Sequence, residues 1–149
     1  LQGLKRFVSF TTMYCEIGQY AQCIETPLSG AQSIHDMILQ SWGGTIRVFP
    51  AAPDAWGEIT FHDLRAQGAF LVSAVREKGN TQWVRVKSLA GEPCRIKPDL
   101  AGAVQVSGNR EFKLEDRGEG VYELDLKKGD EALLYTGDTP PEPAIQAVE

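Results

Sequence analysis

One change of period organises this chain. Before Gly44 the apolar residues recur at three- and four-residue spacing, and from Thr45 onward they alternate with polar ones. A helix buries a stripe with a period near 3.6 and a strand buries one face with a period of 2. The chain therefore reads as helix first and β structure afterwards. On the helical side Ala31, Ile34, Met37, Ile38 and Ser41 share one face. Ser29 and Gln32 fit a capping box, in which hydroxyl and amide satisfy N–H groups the helix leaves unpaired. Pro27 lies just before, where no N–H is needed, and Gly43-Gly44 can take the left-handed conformation that closes helices. The spacing predicts a helix from near Ser29 to Gly43. A weaker pattern through Leu4, Phe7, Val8 and Thr11 or Thr12 predicts another, with irregular structure from Tyr14 to Thr26 between them.

After Thr45, Ile46 and Val48 flank Arg47, and Val84 and Val86 alternate with Arg85 and Lys87. Val104 and Val106 flank Gln105, and Tyr122, Leu124 and Leu126 alternate with Glu123 and Asp125. Phe70 to Val75 is apolar on both faces, as a central strand is. Turn residues punctuate the set at Pro53-Asp54, Lys78-Gly79-Asn80, Gly91-Glu92-Pro93, Ser107-Gly108-Asn109, Gly118-Glu119-Gly120 and Lys128-Gly129-Asp130. Short strands with frequent turns predict a mainly β fold, an antiparallel β-sandwich preceded by one or two helices. The expected organisation is a helical segment over 1–44, the sandwich over 45–137 and a flexible, proline-rich acidic tail over 138–149. The apolar helix face needs a cover. The sandwich, a helical domain of which little is contained here, or a second copy of the chain could each supply it.

Composition narrows the function classes. The 149 residues suit one domain of ordinary size, and 42% hydrophobic with 23% charged residues is the range of a folded globular chain. A net charge of −5 without a basic cluster argues against nucleic acid and against anionic lipid, both of which are held through Lys and Arg. No apolar run reaches the ~18 residues of a membrane span. Cys15, Cys23 and Cys94 are odd in number, with no Cys/His pair at metal spacing. Free buried thiols are expected, and neither a metal nor a cofactor. The chain opens LQGLKRFVSF, without Met and without the apolar core of a secretory leader. It reads as a mature product or a piece of something longer.

The stretch from Cys23 to Trp56 is the most informative. Cys23-Ile24-Glu25-Thr26-Pro27-Leu28-Ser29-Gly30, then Asp36-Met37-Ile38-Leu39-Gln40-Ser41, then Phe49-Pro50-Ala51-Ala52-Pro53-Asp54-Ala55-Trp56 follow in order, and Leu64-Arg65-Ala66-Gln67-Gly68-Ala69-Phe70 comes later. Together these resemble the end of the catalytic barrel and the start of the C-terminal β domain in glycoside hydrolase family 95. That family comprises inverting α-L-fucosidases and relatives built on an (α/α)6 barrel. Its counterparts read Q-I-D-G-N-F-G-G, E-M-L-L-Q-S, L-P-A-L-P-x-A-W and L-R-A-R-G-G-F. The likeness runs from about 24 to 90. It implies that residues 1–44 end the barrel and that the β domain braces it. An inverting glycosidase needs an acid that protonates the leaving oxygen and a base that activates water, ~6.5–9.5 Å apart. The resemblance puts Glu25 in the place of the general base, an Asp in the family. Read on its own residues, Glu25 serves equally as a carboxylate tying a loop to a helix start. The acid and the two Asn residues assisting the base lie upstream in the family. The resemblance thus implies a hydrolase whose C-terminal part is inactive alone, in a secreted or periplasmic parent whose barrel is its partner.

Other chemistry is thinner. His35 and His62-Asp63 read as packing or surface. No Gly-x-Ser-x-Gly elbow or phosphate-cradling glycine loop is present, and no His stands near Cys15 or Cys23. Trp83 shares a strand face with Arg85 and Lys87. An indole on a polar face suits a stacked sugar ring or a domain interface. Trp42 and Trp56 read as core at the hinge between helix and sandwich. Two further readings stay open: a free-standing glycan-binding sandwich without catalysis, and a purely structural interaction module.

Overall fold

A computed structural model describes residues 25–145. The chain divides into two compact units, 1–37 and 38–149. All but the last residue of α1 (Glu25–Ile38) lies in the first unit. It begins about a turn before the Ser29 start expected from sequence. Pro27 fits its first turn, where the missing N–H costs nothing, and Glu25 sets a negative charge at the positive helix end. The Ser29/Gln32 capping box does not form. The Gln32 amide donates to Asp36 Oδ1 at 2.7 Å, and the Ser33 hydroxyl donates to the Ser29 carbonyl at 2.8 Å. The helix also stops before Gly43. Gly43 and Gly44 have φ of 66° and 72° in a 3-10 turn, Trp42–Gly44. The reason is pairing. Leu39 and Gln40 (β1) leave the helix and join Val48 and Arg47 of β2 (Ile46–Val48), which takes Leu39 into the core at 1% exposed. The helix expected over Leu4 to Thr12, with Cys15 and Cys23, lies outside the described residues.

In the second unit the expected sandwich is present. The further strands are β3 (Ile59–Ala66), β4 (Phe70–Glu77), β5 (Asn80–Ser88), β6 (Pro93–Lys97), β7 (Val104–Gly108), β8 (Glu115–Gly118), β9 (Val121–Asp125) and β10 (Glu131–Thr136). Among the described residues they form two five-stranded sheets, ordered β1-β2-β6-β9-β8 and β3-β4-β5-β10-β7. Neighbours run antiparallel except β2 and β6, which are parallel. Phe70–Val75 is central as expected, in β4 between β3 and β5.

The core follows from alternation. Val72, Ala74, Val84, Val86 and Leu134 of one sheet meet Ile46, Val48, Ile96 and Leu124 of the other, all buried. Phe49 and Phe61 pack edge to face with centroids 5.4 Å apart. Cys94 is a free, buried thiol, and desolvation of its thiolate pushes its pKa up to about 12. A thiol held neutral in this way packs as a small apolar group.

Two devices close one end of the sandwich. Asp130, 7% exposed, takes Arg110 through Nε at 2.9 Å and Nη2 at 2.7 Å, and also accepts the Lys127 N–H at 2.7 Å. The Arg110 bonds first, and the backbone bond second, hold the Asp130 carboxyl below its ordinary 3.8. A carboxyl whose folded pKa is depressed contributes stability above its unfolded pKa and loses it as pH falls through the folded value. Urea midpoints are expected to drop as pH falls below about 4. Asp130→Asn should lower the midpoint at pH 7 and shrink that acid-side drop, and an unchanged acid limb would refute the assignment.

The second device is Gly108, paired with Ala132. A Cβ there would overlap the Glu131 carbonyl oxygen and come within 2.5 Å of Phe112 Cε2. Gly108→Ala is expected to cost about 1–3 kcal/mol through forced backbone movement. Urea denaturation of the chain tests this, with Gly57→Ala, whose Cβ meets open space at an ordinary φ, as the comparison.

Candidate functional site

The outer face of the β3-β4-β5-β10-β7 sheet carries the densest set of functional side chains among the described residues. Alternation in β5 turns Val84 and Val86 inward and Trp83, Arg85 and Lys87 outward, as expected from sequence. Register sets Trp83 between Val75 of β4 and Tyr135 of β10, and Arg85 between Ser73 and Leu133. The face therefore has an apolar half and a polar half.

In the apolar half, Val75, Trp83, Leu133 and Tyr135 form a cluster, and Ile145 of the chain end packs against it. Trp83 is 4% exposed. Its place on the face matches the sequence reading, but its ring is covered. Here it packs against its neighbours and offers no open surface for a sugar to stack on. Cross-strand neighbours and Ile145 supply the cover, which the alternation of β5 alone could not reveal.

The polar half centres on Arg85. Its Nη2 lies 3.1 Å from His62 Nε2, 3.2 Å from Ser73 Oγ and 3.4 Å from Asp63 Oδ1, and its Nη1 lies 3.6 Å from Glu131 Oε1. Asp63 arrives there through a bulge. The β3–β4 register shifts between Phe61 and Leu64, and Asp63 has a φ of 50°, a left-handed conformation that Asp tolerates better than most residues. Ser73 locks the bulge. Its hydroxyl accepts the Asp63 N–H at 3.0 Å and donates to Asp63 Oδ1 at 3.1 Å.

Ser, His and Asp stand together here, but not as a nucleophilic relay. Ser73 is fully buried and bonded to Asp63, while His62 faces Arg85. A relay needs the His between a reachable Ser and the Asp. The cluster instead holds charge and shape. Beside it, Lys87, Ser107, Asn109, Glu131, Leu133 and Pro143 border an open groove of about 510 Å³ with Arg85 at its side. Such a lining can hydrogen-bond hydroxyl groups or seat a polar protein surface. Asn109 is already engaged, donating to the Gly129 carbonyl at 3.2 Å and accepting the Glu131 N–H at 3.0 Å.

The remaining sequence candidates fall elsewhere. Glu25 is exposed in the first turn of α1 and is not without a partner. It belongs to the other compact unit from Trp83. His35 sits in α1 with Nδ1 3.9 Å from Asp36. Trp42, expected in the core, is 61% exposed, with the Arg47 guanidinium 4.1 Å over its ring. The 3-10 turn carries it outward, and the cation covers one face. No group of three His, Cys, Asp or Glu among the described residues could hold a metal ion. No described helix is long and apolar enough to cross a membrane.

These features define a β-sandwich domain with a covered aromatic cluster, an arginine-centred polar face and a side groove. Residues 40–134 match the C-terminal domain of glycoside hydrolase family 95, and the chain belongs to that family. The match runs from Gln40 of β1 to Leu134 of β10 and so spans nearly the whole sandwich. No curated protein matches the chain.

Proposed function

We propose that this chain is the accessory C-terminal part of an inverting, α-L-fucosidase-like glycosidase. It braces the catalytic helical barrel and is inactive by itself. The observation that carries this reading is the coincidence of the family match with the self-contained sandwich. A domain named as C-terminal within a hydrolase family stands beside a catalytic part, and the polar side chains around Arg85 are engaged with each other, not poised for proton transfer. In the longer enzyme Glu25 takes the place of the general base, and the barrel supplies the acid. The parent works outside the cytoplasm, secreted or periplasmic, as enzymes acting on external glycans do.

The test uses the longer glycosidase, the same protein cut before Gln40, and the 149-residue chain. Aryl-fucoside hydrolysis is expected from the first and not from the third. The shortened barrel is expected to melt several degrees lower and to regain stability when the chain is added back. Hydrolysis by the chain alone, or a barrel equally stable without it, would overturn the reading. A glycan-binding role without bracing predicts instead that the chain binds fucosylated oligosaccharides in titration and leaves the barrel's melting unchanged.

A further inference from the structure

Phe70, Val72 and Ala74 of β4 are buried between the two sheets, and the same alternation carries Arg76 inward after them. Arg76 is 7% exposed. Across from it the β4–β5 register shifts, so that Val75 faces Trp83 while Arg76 faces Thr81. Gln82 is the extra residue of the bulge, and Thr81 is also 7% exposed. Bulges recur where a strand must re-aim a side chain.

A buried guanidinium needs an anion or a full set of acceptors. Arg76 has neither among the described residues. It takes part in none of the ion pairs within 4.0 Å. Its Nη1 reaches the Ala52 carbonyl at 3.5 Å, the outer limit of a hydrogen bond. Its Nε is buried without a partner. The Phe49 ring lies 5.9 Å from the guanidinium carbon, which is a weak contact.

Arg76 lines a cavity of about 330 Å³ together with Lys97, Asp99 and Tyr122. Lys97 ends β6 and Tyr122 lies in β9, so the second sheet supplies the opposite wall. The lining charges are two positive and one negative. Asp99 is occupied as an acceptor from the Thr81 hydroxyl at 3.2 Å. The balance suits one monoanion and disfavours a dianion, which Asp99 would repel. A guanidinium presents paired N–H donors that match the two oxygens of a planar carboxylate.

We propose that this cavity binds a carboxylate, held by the Arg76 guanidinium in its wall. A uronic-acid sugar and an Asp or Glu side chain of the longer glycosidase present the same chemistry. The uronic-acid source is independent of the bracing function, and the protein source rests on it.

The experiment titrates the 149-residue chain calorimetrically with glucuronate and with neutral methyl glucoside, and repeats both on Arg76→Met and Arg76→Lys. Melting temperatures of all three are taken in the short chain and in the longer glycosidase. If the sugar is the source, glucuronate binds, methyl glucoside does not, and Arg76→Met weakens binding about tenfold or more. Arg76→Lys, which keeps the charge without the fork, falls between and serves alone if the Met variant does not fold. If a protein carboxylate is the source, glucuronate does not bind the native short chain, and both substitutions lower the melting temperature of the longer enzyme more than that of the short chain. Glucuronate binding that survives both substitutions, equal binding of methyl glucoside, or neither binding nor a selective loss of melting temperature overturns the site.

Discussion

Replacing Glu25 by Gln in the longer glycosidase is expected to lower kcat by about 10²–10⁴-fold, the usual contribution of a general base, with KM nearly unchanged. Gln keeps the length and one acceptor oxygen but cannot take a proton from the attacking water. The substrate's sugar would bind as before, so the loss belongs to the chemical step. Glu25→Asp is the informative companion. It supplies the Asp that the resemblance implies for this place and shortens the arm by one methylene. It should retain much more activity than Glu25→Gln. A merely structural role makes a different prediction. Glu25 sits in the first turn of α1, where a carboxylate complements the helix end by about 0.3–1 kcal/mol. Its loss would then appear as a small drop in melting temperature with kcat intact. Steady-state kinetics on an aryl fucoside, with melting curves for both variants, separates the two. Full activity in Glu25→Gln would remove Glu25 from the chemistry.

Much of this architecture could be read before any coordinates, because alternation is a strong signal when one face is buried. Ile46–Val48, Val84–Val86, Val104–Val106 and Tyr122–Leu124 all lie in strands, and Phe70–Val75 is the central run expected of it. The strands that alternation does not announce each break the pattern for a physical reason. β3 carries the His62-Asp63 bulge, which interrupts its period. β6 opens on Pro93, which reads as a turn residue but is tolerated at the first position of a strand. β8, Glu-Asp-Arg-Gly, is a polar edge. β10 lies between β5 and β7 and is apolar on both faces. The sequence carries α1 on to Gly43 because Ser41 continues the stripe of Ile34, Met37 and Ile38, whereas the pairing of Leu39 with Val48 ends the helix earlier.

The site was less legible than the fold. Spacing put Trp83 on the correct face, but what covers it arrives from the paired β4 and, far along the chain, from β10 and Ile145. The Arg85 cluster likewise joins β3, β4 and β10. Arg76 did leave a trace. It continues the inward stripe Phe70, Val72, Ala74, and a charge where an apolar residue belongs marks either a strand end or a site. The hydrogen bonds it lacks become visible only when its surroundings are assembled.

Leu134→Ala tests how much of the sandwich rests on β10, an interior strand of its sheet. Leu134 is fully buried, pairs with Val84 on one side and Val106 on the other, and belongs to the core between the sheets. Removing its isobutyl end deletes buried apolar surface and leaves a cavity whose walls are held by two strand ladders. Such walls collapse little, so the cost should fall in the range of about 2–5 kcal/mol measured for buried Leu→Ala changes. Domains of this size are stable by only about 5–15 kcal/mol, so a large part of the total is at stake. Leu134→Met, which nearly conserves volume, should cost less than about 1.5 kcal/mol. Leu133→Ala gives a contrast one residue away. Leu133 faces outward into the smaller cluster with Trp83 and Tyr135 and keeps 8% of its surface exposed. Its cavity opens toward solvent and the side groove, where neighbours can move in, so its cost should be the smaller of the two. Urea midpoints of the three variants, compared at constant m-value, give the order directly. A loss at Leu133 equal to or greater than that at Leu134 would mean that the outer cluster, not the space between the sheets, holds the domain together.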